Sequence, residues 1–173
     1  MDTLSHGLWG AIVAGRKTRR DFWAAFAFGV LPDVLSFGIV FASVIFEFNQ
    51  HVLGEPPPME SIPAYVFLLY NITHSLIVFV AVFGIVWVVR RRVYWPLAAW
   101  GLHILVDIPT HAYAFFPTPF LWPVSDFKID GMPWSSPYIF IPNVVLLGVL
   151  YAWFFIQRRR ARIAKERYVK KRV

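Results

Sequence analysis

The chain has 173 residues, 58% of them hydrophobic and 18% aromatic, and a mean hydropathy of +0.55. It carries 17 Lys and Arg against 10 Asp and Glu, a net charge of +7, and no cysteine. These values exclude a disulfide framework, an iron–sulfur cluster and a thiolate metal site. The apolar residues fall in long blocks, unlike the amphipathic stripes of a soluble domain.

Residues Thr3–Ala14 form a short apolar segment preceded by Asp2 and containing His6. Asp2 and His6 stand at i and i+4 and share one face of a helix. The positive charges of Met1–Arg20 follow the apolar part instead of preceding it, which is the reverse of a signal peptide. Four longer blocks come next: Phe22–Phe46, Ile62–Val89, Val93–Phe116 and Tyr138–Ile156. Each approaches or exceeds the roughly 20 apolar residues that cross a bilayer, and in lipid such blocks must be helical.

The first block contains Leu31-Pro32-Asp33, where proline predicts a kink or break and Asp33 could cap a restarted helix. The connector Glu47–Ser61, with Pro56-Pro57-Pro58 and His51, reads as a stiff solvated loop. The second block carries Tyr70-Asn71-Ile72-Thr73-His74-Ser75 at its centre. The third holds His103, Asp107 and His111 at i, i+4 and i+8, close to one helical face, with Pro109 bending the helix beyond. Pro117–Pro137 is long for a connector and rich in proline and aromatics, which suits an interfacial anchor or a cover for a site. The last block has no ionisable residue and reads as packing.

The basic residues cluster at Arg16–Arg20, Arg90–Arg92 and Arg158–Arg172, each group flanking a block on the same side of an alternating path. The positive-inside rule then makes that side cytoplasmic. The basic tail is explained by topology and by attraction to anionic lipid, without nucleic acid. The expected architecture is an all-α polytopic membrane bundle of four spanning helices plus a short inserted N-terminal helix. It forms one membrane-embedded domain over 1–157 and a basic cytoplasmic tail over 158–173, in the inner membrane of a bacterium.

An ionisable residue in mid-membrane costs about 2.5–3.5 kcal/mol on insertion scales, so each needs a partner or a purpose. Counted from the nearest basic cluster at the helical rise, His6, Asp33, His74, His103 and Asp107 all lie about 15–24 Å deep. Imidazole and carboxylate are ligands for zinc, manganese or iron, and three aspartates gathered without a cation would repel one another. A divalent ion there would act as a Lewis acid and lower the pKa of water toward about 7. The predicted ligands are His6, Asp33, His74, His103 and Asp107, with Asp2 or His111 as general base or extra ligand. No HExxH motif is present.

Several short motifs then resemble one family. They are Asp2-Thr3-Leu4-Ser5-His6-Gly7, Leu31-Pro32-Asp33, Thr73-His74-Ser75, His103-Ile104-Leu105-Val106-Asp107 followed by Thr110, and Leu121-Trp122-Pro123. In that order they resemble the bacterial predicted membrane-bound metal-dependent hydrolases, small inner-membrane proteins distantly similar to zinc-dependent phospholipase C and P1-type nucleases. The resemblance implies a helical scaffold, a His/Asp-bound metal and phosphodiester hydrolysis, here of a lipid phosphate ester. Two departures stand against it. Val34, Leu35 and Ser36 occupy positions where many members have a further Asp and His, and Tyr70-Asn71-Ile72 replaces a His-Arg-Gly. Three alternatives follow from the same residues: a b-type haem between His74 and His103, transport of a divalent cation or proton by an oligomer, or a catalytically degenerate structural homologue.

Overall fold

A computed structural model of the chain describes residues 1–46 and 62–170. Among the described residues there are six α-helices and no strand. They are α1 (Thr3–Ala14), α2 (Arg19–Phe46), α3 (Ala64–Thr73), α4 (Leu76–Arg90), α5 (Ala98–Thr110) and α6 (Pro137–Lys170), with a 3₁₀ turn at Trp95–Leu97 leading into α5. The Glu47–Ser61 connector, with His51 and its three prolines, lies outside the described residues, as do 171–173.

The all-helical expectation holds, but the expectation of four spanning helices does not. Among the described residues one helix, over Pro137–Glu166, is long and apolar enough to cross a membrane, or two if the bent pair α3–α4 counts as a single span. The polar residues inside the apolar blocks account for the difference. Thr73-His74-Ser75 splits the second block into α3 and α4, which bend by 56° at the break. The Ser75 hydroxyl caps α4 by accepting a bond from Val78 N at 3.2 Å. The third block is helical only over the 13 residues of α5, about 20 Å at the helical rise, against a hydrocarbon core of about 30 Å. Helix α2 is long, with Arg19, Arg20 and Asp21 in its first turn and Asp33 inside the apolar block. It also runs through Pro32 without the expected break, so Asp33 is an interior residue and no cap.

Helix α1 packs against α2 and α5 and also meets α6. Small residues let α1 and α2 approach closely. A Cβ on Gly29 would stand 2.4 Å from the His6 carbonyl oxygen, and one on Gly10 would stand 2.7 Å from that of Ala25. Asn143 on α6 is buried; its amide donates to Ser5 Oγ at 2.8 Å and accepts from Trp9 Nε1 at 2.7 Å. The segment after α5 folds back over the bundle. Leu76 N donates to Phe120 O at 2.9 Å and the Ser75 hydroxyl donates to Trp122 O, while Gly131 N and Met132 N donate to His111 O and Pro109 O at 2.8 and 2.9 Å. An aromatic core of Tyr70, Phe116, Phe37 and Phe67 closes the same end.

Candidate metal centre

Three separate segments bring a compact group of side chains to the middle of this bundle. The α3–α4 break presents His74, α5 presents His103 and Asp107 one turn apart, and α2 presents Asp33. One ligand atom from each of Asp33, His74, His103 and Asp107 lies within 4.8 Å of every other. His74, His103 and Asp107 are at most 1% exposed.

The separations are close to those that a small cation would impose. The Nε2 atoms of His74 and His103 are 3.0 Å apart. His74 Nε2 lies 3.4 Å from Asp33 Oδ1 and 3.6 Å from Asp107 Oδ2, and His103 Nε2 lies 3.6 and 3.2 Å from the same two oxygens. Four ligands at the usual zinc–nitrogen and zinc–oxygen distances form a tetrahedron with edges of about 3.3 Å. Five of the six edges therefore scatter around the ideal value.

The far sides of the imidazoles fix what faces the centre. His103 Nδ1 lies 2.7 Å from the carbonyl oxygen of Gly29, and His74 Nδ1 lies 3.2 Å from that of Tyr70 and 2.9 Å from Thr73 Oγ1. A carbonyl can only accept, so each Nδ1 carries a proton, and in the neutral ring each Nε2 turns a lone pair inward. The central atoms are then two imidazole lone pairs and two carboxylate oxygens, all acceptors. Asp107 Oδ2 is buried without a hydrogen-bond partner, a costly state unless a cation faces it. Asp33 is steadied by the Thr3 hydroxyl, which donates to Oδ2 at 2.7 Å. The residues present thus fit a divalent ion: two carboxylates balance its charge, and two neutral imidazoles complete four-coordination.

The other expected residues surround this group. His6 Nε2 lies 2.8 Å from Asp107 Oδ1, and the His6 ring stacks on His103 with centroids 3.7 Å apart. Burial pushes the His6 imidazole down to about 4, against the pull of Asp107, so it is neutral at pH 7. His111 caps α5, with Nδ1 3.3 Å from Asp107 Oδ1. The Met1 amino group also contacts Asp107 Oδ1 and lies 3.1 Å from Thr110 Oγ1. Asp2 caps α1, its Oδ1 accepting from Ser5 N at 2.9 Å, while its Oδ2 is buried without a partner. His6, Asp2 and His111 therefore sit beside the four-atom group and outside it, with His6 and His111 joined to it through Asp107.

A cavity of about 400 Å³ opens next to the group. Asp2, Asp33 and His111 form its polar side, and Phe37, Phe116 and Trp134 are among its apolar walls. Sequence reading missed the Gly29 and Tyr70 carbonyls, which leave no mark in residue type, and the Thr3 hydroxyl, which sits inside a motif it had noted. The haem alternative fails on geometry: Nε2 atoms 3.0 Å apart leave no room for a porphyrin between them. Compared with models of protein families, with curated proteins and with solved structures, the chain matches none.

Proposed function

We propose that the chain is a metal-dependent hydrolase that acts in a membrane on a phosphate ester of a lipid, of the predicted membrane-bound hydrolase type that its motifs resemble. The observation that carries this reading is the set of four ligand atoms from Asp33, His74, His103 and Asp107, all within 4.8 Å of one another, with Asp107 Oδ2 buried and without a hydrogen-bond partner. One ring could take a proton and relieve a single contact; a divalent cation relieves all of them. Zinc suits the tetrahedral nitrogen and oxygen set, with manganese and iron as the other candidates.

When bound, such an ion supplies Lewis acidity and lowers the pKa of water toward about 7. The protein's own residues supply the rest. Asp2 or His111, both on the cavity wall, takes the proton as water adds to phosphorus. The ester P–O bond breaks, and the proton passes to the leaving alcohol oxygen. Phe37, Phe116 and Trp134 give that cavity an apolar side suited to the hydrocarbon of an amphiphile.

Membrane location is supported by the outer surfaces. No residue of α4 is buried, and Ile85, Val88 and Val89 on it are exposed. Along α6, Tyr138, Ile141, Val145, Val149 and Phe155 are all exposed as well. Apolar surface of this extent is not left to water.

Elemental mass spectrometry of purified protein, paired with phosphate release from lipid phosphate esters, tests the proposal. Wild type should hold metal and release phosphate, and His103→Ala should do neither. A metal-free wild type as inert as the variant would overturn it.

A further inference from the structure

We propose that a second cavity, at the basic end of the bundle, binds the phosphate of an anionic lipid headgroup. This site is separate from the metal centre and does not depend on the hydrolase reading. The cavity measures about 470 Å³, and Lys17, Arg90 and Arg92 line it from two separate segments. Lys17 comes from the α1–α2 turn, and the arginines come from the end of α4. Arg91 adopts a left-handed conformation, with φ of 55°, at the cap of α4. Arg90 and Arg92 line the cavity, and Arg91 does not.

Among the described residues, none of Lys17, Arg90 and Arg92 forms an ion pair. The one carboxylate in the wall, Asp21, accepts a 2.8 Å bond from the Thr18 hydroxyl at the start of α2. The Arg90 guanidinium lies over the Tyr94 ring at 4.6 Å, which orients it while leaving its N–H edge free for a planar or tetrahedral oxyanion. Three unpaired cations against one engaged carboxylate make a site for a phosphate.

The neighbouring surface points to lipid as the phosphate's source. Val93 and Trp95 on the cavity wall are 40% and 52% exposed, and Val89, 76% exposed, continues that apolar surface along α4. Tryptophan beside basic residues suits the headgroup level, and the α4 surface offers the attached acyl chains a path. Asp21 and Asp33 are twelve residues apart on α2, about 18 Å at the helical rise, so a phosphate held here is out of reach of the metal centre.

The test is native mass spectrometry of the full chain in neutral detergent, offered phosphatidylglycerol, phosphatidylcholine or inorganic phosphate. Each juxtamembrane cation strengthens binding to anionic lipid severalfold, so wild type should retain phosphatidylglycerol at least about tenfold better than phosphatidylcholine. R90Q/R92Q should lose that preference, and R159Q/R160Q, which removes the same charge from α6, should keep it. Millimolar inorganic phosphate should leave the bound lipid in place. No preference in wild type, equal loss in both double variants, or displacement by inorganic phosphate would each overturn the proposal. Should R90Q/R92Q fail to fold by circular dichroism, Lys17→Gln, on the other segment, decides the matter. It should weaken retention at least about threefold, and unchanged retention would count against the site.

Discussion

At the scale of single residues, Asp107 is the side chain on which the centre turns. Its Oδ2 faces the two imidazole lone pairs, and its Oδ1 faces His6 and His111. Asp107→Asn keeps the shape but puts a donor N–H₂ where one of those oxygens stood, and an amide is a poor ligand for zinc. Metal content measured by elemental mass spectrometry should fall below about one tenth of wild type for Asp107→Asn, as for His103→Ala, because removing even an outer partner of a metal ligand costs 10–100-fold in affinity. Ions that bind only the folded state stabilise it. A chelator should therefore lower the melting temperature of wild type and leave that of His103→Ala unmoved. Much of this was legible in the sequence. Acids and imidazoles at matching depth in separate apolar blocks have few reasons to be there other than one another, and i, i+4 spacing already put His103 and Asp107 on one face. The orientation of each ring was not legible, since it depends on carbonyls that any residue would supply.

At the scale of elements, the close approach of α1 and α2 holds the site together. Gly29 serves twice: its missing Cβ admits the His6 backbone, and its carbonyl holds the His103 ring. Gly29→Ala should destabilise the fold by about 1–3 kcal/mol through overpacking and weaken metal binding about 10–100-fold through the displaced ring. Thermal unfolding and a metal titration would read these two effects separately. Elements were also where sequence reading erred. Hydropathy treated Ile62–Val89 and Val93–Phe116 as unbroken spans because it averages over polar residues. The chain instead breaks at Thr73-His74-Ser75 and stops α5 at Thr110, and those breaks are what aim His74 inward and bring the following loop back over the site. A proline mattered less than expected: Pro32 lies within α2, where its carbonyl accepts the Ser36 hydroxyl at 2.8 Å.

At the scale of the whole molecule, α6 joins a buried inner stripe to an outward apolar face. Asn143 fastens its inner side to Ser5 and Trp9, a short distance along α1 from His6. Val145 on the same helix is 56% exposed. Val145→Arg would place a charge within the apolar stretch of α6, at a cost of about 2.5–3.5 kcal/mol if that face meets lipid. Under alkaline carbonate extraction, wild type should remain in the membrane pellet, and a substantial fraction of Val145→Arg should be released. A protein that never entered the bilayer would be released in both cases.

The loop after α5 carries a consequence of its own. Gly131 and Met132 give their backbone N–H groups to the last carbonyls around the end of α5, within a stretch that has no regular structure. Those two amides should resist deuterium uptake while their neighbours exchange freely, which makes them a clock for the opening of the chamber beneath.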